Sequence, residues 1–239
     1  MPILSVIVPA YNEERNIEEA IDDVLQHVAS TVPDLEIIIV DDGSRDKTAA
    51  LAKALAVRDP RIVLIQQSNQ GHGPALANGL AKATGDWLFL LDSDRQVPLD
   101  DFARHWQLTA SHDVVLGFRR PRRDPPHRLL ISAAMRLLLR LQLGVWVRDA
   151  GAPYKLIRAD VWHTARQSMR PGCWIPSVLI AAAALQRPDL NTVELPVDHR
   201  PRRHGPSTLN LGRLAKFCRE GVADVVDFRN HSKQQHDRR

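Results

Sequence analysis

The sequence predicts an α/β fold in which a mostly parallel central sheet is flanked by helices. Three observations predict it. Short apolar runs recur along the first 118 residues, they are rich in Val, Ile and Leu with little polar alternation, and segments of helical spacing separate them. Strands that are apolar on both faces and alternate with helices belong in a parallel sheet covered on both sides.

The elements follow in order. "ILSVIV" (3–8) reads as the first strand, and Ile17, Ala20, Ile21, Val24 and Leu25 then mark one face of a helix. "LEIIIV" (35–40), "RIVLI" (61–65), "WLFLL" (87–91) and "DVVLGF" (113–118) are the next four strands. "RRPRRDPPHR" (119–128) is a basic loop broken by proline. The long apolar segment 128–147 reads as a helix on which Arg128, Ser132, Arg136 and Arg140 form one polar stripe. Three arginines make it a poor membrane span, so it is either a buried packing helix or one lying in a membrane surface. "PYKLIR" (153–158) and "NTVELPV" (191–197) add strands, "DHRPRRHGPS" (198–207) is a second basic loop, and a last helix is expected over 209–228. Residues 231–239 read as a polar tail. Trp87 and Trp106 are expected in the core, Trp146, Trp162 and Trp174 either to pack or to sit at an interface, and His27, His105 and His112 to be at the surface or partly packed.

Charge divides the chain. Residues 1–118 hold 9 Lys/Arg against 18 Asp/Glu, whereas residues 119–239 hold 23 against 10. An acidic half suits a cation and a basic half suits anions. The basic loops lack the interleaved aromatics that stack on bases, which argues against nucleic acid. No leader-like segment precedes the first strand, and the two cysteines, Cys173 and Cys218, fit no metal spacing. Both features lead to the expectation of a reducing, cytoplasmic location.

The strands end in polar, turn-forming sequences: "PAYNEE", "DDGSRD", "QSNQGHGPA" and "DSDRQ". In a parallel sheet these ends share one rim, where ligands bind. Asn12, Asp42 and Ser44 are good helix caps, which is one account of them. Capping does not explain why Tyr11, Glu13, Asp41 and Asp42 gather at the same edge. A tyrosine ring can stack on a base, and carboxylates accept bonds from base and ribose donors. Gly71 and Gly73 mark a place where backbone approaches something closely. Asp92 and Asp94, two apart on an extended turn, suit Mg²⁺ or Mn²⁺, and Gln96 can add a carbonyl oxygen.

"SVIVPAYNEERNI", "EIIIVDDGSRDKT" and "GHGPALANGLAKATGDWLFLLDSD" together resemble the inverting family 2 glycosyltransferases with the Rossmann-like, A-type nucleotide-diphospho-sugar transferase fold. "RLLIS", "VRDAGAPYKLIRADV" and Arg202-x-x-Gly205-x-Ser207 resemble, within that family, the dolichol- and polyprenyl-phosphate sugar synthases. The resemblance implies one glycosyltransferase domain over 1–230, with a nucleotide-sugar half (1–118) and an acceptor half (119–230). It implies that Pro9, Tyr11, Glu13, Asp41, Asp42 and Asp92 hold the nucleotide of a GDP- or UDP-sugar. Asp92, Asp94 and Gln96 would hold the metal, with Asp94 catalytic. Arg119, Arg128 and Arg202 would clamp phosphates, and Ser132, Arg136 and Ser207 would meet a polyprenyl phosphate acceptor at the cytoplasmic face of a membrane, directly or through a membrane partner. The sequence departs from the family pattern at His72, at Thr208, in "GAPYKLIR" and in "CWIPSVLI".

The residues bear on the acceptor independently. An inverting transfer to a hydroxyl needs a general base. Between Val161 and Pro188, where the resemblance would put one, the chain has no carboxylate. A phosphate needs no base but does need cations, which the arginine-rich loops supply. Two alternatives stay open: transfer to a hydroxyl with Asp149 as base, and a nucleotide-sugar-binding protein with impaired catalysis.

Overall fold

The computed structural model describes residues 3–122, 124, 126–201 and 211–236. The strands are β1 (Leu4–Ala10), β2 (Leu35–Asp41), β3 (Ile62–Gln66), β4 (Trp87–Leu90), β5 (Val114–Arg119), β6 (Lys155–Arg158) and β7 (Thr192–Val197). They form one sheet in the order β3-β2-β1-β4-β6-β5-β7. β1 pairs in parallel with β2 and β4, β2 with β3, and β5 with β7. β6 is antiparallel to both neighbours. Six strands therefore end at one rim, and β6 begins there. Its first residue, Lys155, lies in register with Leu90 of β4 and Leu116 of β5.

The helices are α1 (Ile17–Asp23, running on as a wider turn to Val28), α2 (Thr48–Arg58), α3 (His72–Lys82), α4 (Phe102–Gln107), α5 (Pro126–Leu143), α6 (Ala159–Ala165), α7 (Pro176–Gln186) and α8 (Leu211–His236). Successive side chains of a strand point to opposite faces, and here both faces are covered. Val6, Val8, Ile37, Ile39 and Phe89 pack with Ile17, Ile21, Leu55 and Phe102 on one side. Ile7, Leu88 and Leu90 pack with Leu76, Leu80, Leu179 and Ile180 on the other. That double burial is why the strand sequences are continuously apolar.

Several expectations change. α5 begins at Pro126, inside the stretch read as loop, because proline is well tolerated in a first helical turn. It stops at Leu143, before Gly144 at φ +72°. α8 runs on to His236, past 228, where the apolar spacing ends; its Lys and Gln residues are good helix formers even without a packed stripe. His105 is buried and bonds through Nδ1 to the Tyr154 hydroxyl at 2.8 Å. Trp146 does not pack inward: it is 51% exposed. Asn12, Asp42 and Ser44 cap no helix; they join loop to loop.

Candidate active site

The first two rim loops are sewn together. The Asn12 amide donates to Ser44 Oγ (3.0 Å), and Asn12 Oδ1 accepts from the Arg45 amide (2.8 Å). The Glu13 amide donates to Thr48 Oγ1 (2.8 Å) and the Lys47 amide to Glu14 Oε2 (3.1 Å). Asp42 performs the same service for the next loop. Its carboxylate accepts from Gln67 Nε2 (2.8 Å) and from the Gln70 and Gly71 amides (2.9 and 2.8 Å). With three internal donors around it, Asp42 clamps this loop to the next. Gly43, at φ +69°, makes this turn possible, since a Cβ there would lie 2.7 Å from the Asn69 nitrogen. The close approach expected near Gly73 is to the protein itself, where a Cβ would meet the Trp174 carbonyl.

Pro9, Tyr11, Glu13 and Asp41 reach the same edge. The Pro9 carbonyl accepts from Ser93 Oγ at 3.0 Å, which ties β1 to the loop after β4. Asp41 is the last residue of β2, buried, and accepts from the Ser44 amide at 3.2 Å. Glu13 is buried and accepts from Asn16 Nδ2 at 2.5 Å. Tyr11 is half-buried.

Beyond β4, Asp92 faces His72 at the start of α3, with Nε2 and Oδ1 3.7 Å apart. Asp94 Oδ1 accepts from the Gln96 amide at 3.1 Å. The Gln96 side chain turns to the other basic loop, where its Nε2 donates to the Arg200 carbonyl at 3.2 Å. Among the described residues, no group of three or more His, Cys, Asp or Glu side chains is placed to hold a metal ion. Asp92 and Asp94 are thus two hard oxygen donors, a set suited to an ion that takes its other ligands from phosphate and water.

Beside this rim lies a pocket of about 240 Å³ lined by Arg119, Arg122, Asp124, Arg128 and Ser132, and also by Ile131, Met135, Val178 and Phe217. One part of the lining is charged or polar and the rest is hydrocarbon. Arg119 grips Asp149 through Nε–Oδ2 (2.8 Å) and Nη2–Oδ1 (3.0 Å). Burial disfavours the charge on both, but their mutual hydrogen bonds and attraction outweigh it. The Asp149 carboxyl is held below its usual range and Arg119 above its own. Arg122 Nη1 donates to Ser132 Oγ at 2.8 Å. Asp92 bears electrostatically on Arg119 and on Lys155, so the acidic rim and the arginine pocket adjoin.

One expected acceptor residue does not line the pocket. Arg136 leaves the pocket: its guanidinium lies 5.6 Å from the Trp146 ring, as that of Arg140 does at 5.7 Å. Four residues turn an α-helix by about 40° more than one revolution, so a stripe spaced by four winds off the pocket face by its third member. Arg202 and Ser207 lie outside the described residues.

Sequence reasoning passed over Arg122, Asp124 and Lys155. The first two stood in what reads as a plain charge run. Lys155 is fully buried, and Nζ donates to the carbonyls of Ala150 (3.1 Å) and Ala152. Burial, with some help from Arg119, lowers its pKa to about 8 against the opposing pull of Asp149 and Asp92. A charged residue inside an otherwise apolar strand was the available signal.

Comparison with known proteins agrees with this arrangement. Residues 5–161 match the family described as Glycosyl transferase family 2. An undecaprenyl-phosphate 4-deoxy-4-formamido-L-arabinose transferase of Pseudomonas paraeruginosa is 32% identical over 215 residues, covering 89% of this chain and 62% of the relative. A dolichyl-phosphate beta-glucosyltransferase of Trichomonas vaginalis is 30% identical over 212 residues, covering 82% and 65%. The chain thus spans less than two thirds of the length of either relative. Glucosyl-3-phosphoglycerate synthase from Mycobacterium tuberculosis, solved with Mn²⁺, UDP and glucosyl-3-phosphoglycerate, superposes with a TM-score of 0.66 at 22% identity, covering 96% of this chain and 80% of that one. The fold is therefore the A-type nucleotide-sugar transferase fold. The matched span carries the four rim loops, the Asp92–Asp94 turn and the pocket residues Arg119, Arg122, Asp124 and Arg128, together with Asp149, and on that span the chain belongs to glycosyl transferase family 2.

Proposed function

We propose that the chain transfers a sugar, with inversion, from a nucleoside-diphosphate sugar to a polyprenyl phosphate. The observation that supports this most is the mixed lining of the pocket, where Arg119, Arg122, Arg128 and Ser132 occur together with Ile131, Met135, Val178 and Phe217. A lipid phosphate has the same two parts: an anionic head and a hydrocarbon chain. Both named relatives are transferases of polyprenyl-type phosphates.

The donor, a UDP- or GDP-sugar, binds across the rim at Pro9, Tyr11, Glu13 and Asp41. Mg²⁺ or Mn²⁺ held by Asp92 and Asp94, with Gln96 adjacent, would supply charge stabilisation to the departing diphosphate. The pocket arginines hold the lipid phosphate against the repulsion of that diphosphate. A phosphate oxygen forms the new bond to the anomeric carbon on the face opposite the leaving group. The old bond between the anomeric carbon and the diphosphate breaks, and its electron pair leaves with the nucleoside diphosphate. No proton need be removed from the acceptor. Asp149 is ill-suited to be the base that a hydroxyl acceptor would require, because Arg119 engages both its oxygens and weakens its hold on a proton.

Among the described residues no helix is long and apolar enough to cross a membrane. Leu130, Leu137 and Leu141 stand 72%, 54% and 71% exposed on α5, with Trp146 just beyond. Residues 119–148 hold eight arginines and one acid. This combination suits a peripheral contact with an anionic membrane surface, which we place at the cytoplasmic face. Incubating the protein with Mn²⁺, a panel of sugar nucleotides and a short polyprenyl phosphate tests the reading. It predicts a glycosylated lipid phosphate by mass spectrometry. Nucleotide binding without turnover on any acceptor would favour a binding protein instead.

A further inference from the structure

The pocket that suits a phosphate already contains an anion. Asp124 lines it alongside the arginines, with its side chain only 4% exposed. Its Oδ2 accepts from Arg122 Nε (3.1 Å) and Nη2 (2.9 Å) and lies 3.4 Å from Arg119 Nη1. Its Oδ1 lies 3.9 Å from Arg128 Nη1. One carboxylate thus sits among all three pocket arginines.

Three arginines against Asp124 and Asp149 leave one net positive charge. A phosphate monoester brings a charge of about −1.5 to −2 near neutral pH. Seated beside both acids, it would leave the cluster negative in a poorly solvated place. Seated in place of Asp124, it would leave the cluster close to neutral. The nearby Lys155 ammonium and the Asp92 carboxylate both bear on this cluster, and their opposite charges offset each other in the count. Asp149 gives way less readily, since it accepts from the Arg119 backbone amide at 3.2 Å as well as from two guanidinium nitrogens, whereas Asp124 is held by side chains. Asp124 is held chiefly by Arg122, two residues away along its own loop.

We propose that Asp124 stands in for the acceptor phosphate and leaves the arginines when a phosphate is seated. It is thereby a specificity-determining residue: a dianion can displace it, whereas an uncharged alcohol cannot. The inference rests on the acceptor reading above, but its test does not depend on sugar transfer.

The test is calorimetric titration of inorganic phosphate and dodecyl phosphate into the wild type, Asp124→Asn, Asp124→Ala and Asp149→Asn. Removing the competitor raises apparent affinity by the fraction of pocket it blocked, so both Asp124 variants are expected to bind about tenfold tighter. Asp149→Asn, which loses the brace on Arg119, is expected to bind more weakly. Equal or weaker binding by the Asp124 variants would overturn the proposal, as would no phosphate binding by any form. Should both Asp124 variants misfold, hydrogen exchange on the wild type decides. Dodecyl phosphate is expected to speed exchange at Arg122 and Asp124, and slowing or no change there overturns the idea. Failure here with intact transfer to polyprenyl phosphate leaves the acceptor reading standing. Tight phosphate binding without such transfer does the reverse.

Discussion

Arg119 and Asp149 face each other in a two-point grip, 2.8 Å from Nε to Oδ2 and 3.0 Å from Nη2 to Oδ1, with Asp149 almost wholly buried. Removing one partner strands the other, whereas removing both does not. Arg119→Met is therefore expected to lower unfolding stability by about 3 kcal/mol. The double variant Arg119→Met/Asp149→Asn should recover a large part of that loss in urea denaturation. A double variant as unstable as the single would show that the pair is not coupled in this way.

Lys155 makes stability depend on alkaline pH. Its folded pKa of about 8 is below the ordinary 10.5, so between those values the unfolded chain holds more protons. Stability from this group therefore rises with pH across that window, by up to about 3 kcal/mol. Burial raises the Cys173 thiol to about 12 and raises Tyr154 as well, and both push the other way. The comparison of the wild type with Lys155→Met isolates the lysine, because those two groups are common to both. The difference in stability, wild type minus variant, should climb between pH 8 and 10.5; a flat difference would contradict a buried ammonium.

Asp94 is half-exposed and lies beyond the end of β4. Asp94→Ala should leave the fold and its melting temperature near those of the wild type. Transfer should fall by on the order of 10²–10³-fold, the usual loss when charge stabilisation is removed. Titration of Mn²⁺ in the presence of UDP or GDP should show a matching loss of affinity. Near-normal turnover in this variant would remove the metal from the account.

The outer face of α5 can be tested apart from the chemistry. Leu130→Glu/Leu141→Glu replaces two exposed apolar side chains, each of which would contribute about 1.5–3 kcal/mol if fully buried. Co-sedimentation with vesicles rich in phosphatidylglycerol should drop at least about tenfold, while folding is unaffected. If sedimentation persists, another surface makes the contact.

Much of this was legible in the sequence, for identifiable reasons. Strands buried on both faces wrote themselves as continuous apolar runs, and their polar ends marked the rim. The reversal of β6 left no mark, because a four-residue apolar strand has the same pattern in either direction. The role of Asp42 was hidden because its donors, Gln67, Gln70 and Gly71, are distant in the chain. Arg122 and Asp124 looked like an ordinary charge run until α5 folded over them. The stripe on α5 was read one turn too far because four-residue spacing does not stay on one helix face.

The central claim is that the acceptor is a phosphate and not a hydroxyl. The most direct measurement compares transfer to a polyprenyl phosphate with transfer to the matching polyprenol, in the same detergent, with Mn²⁺ and the donor that the protein accepts. The account predicts turnover on the phosphate and none above background on the alcohol. Equal or faster turnover on the alcohol would contradict it.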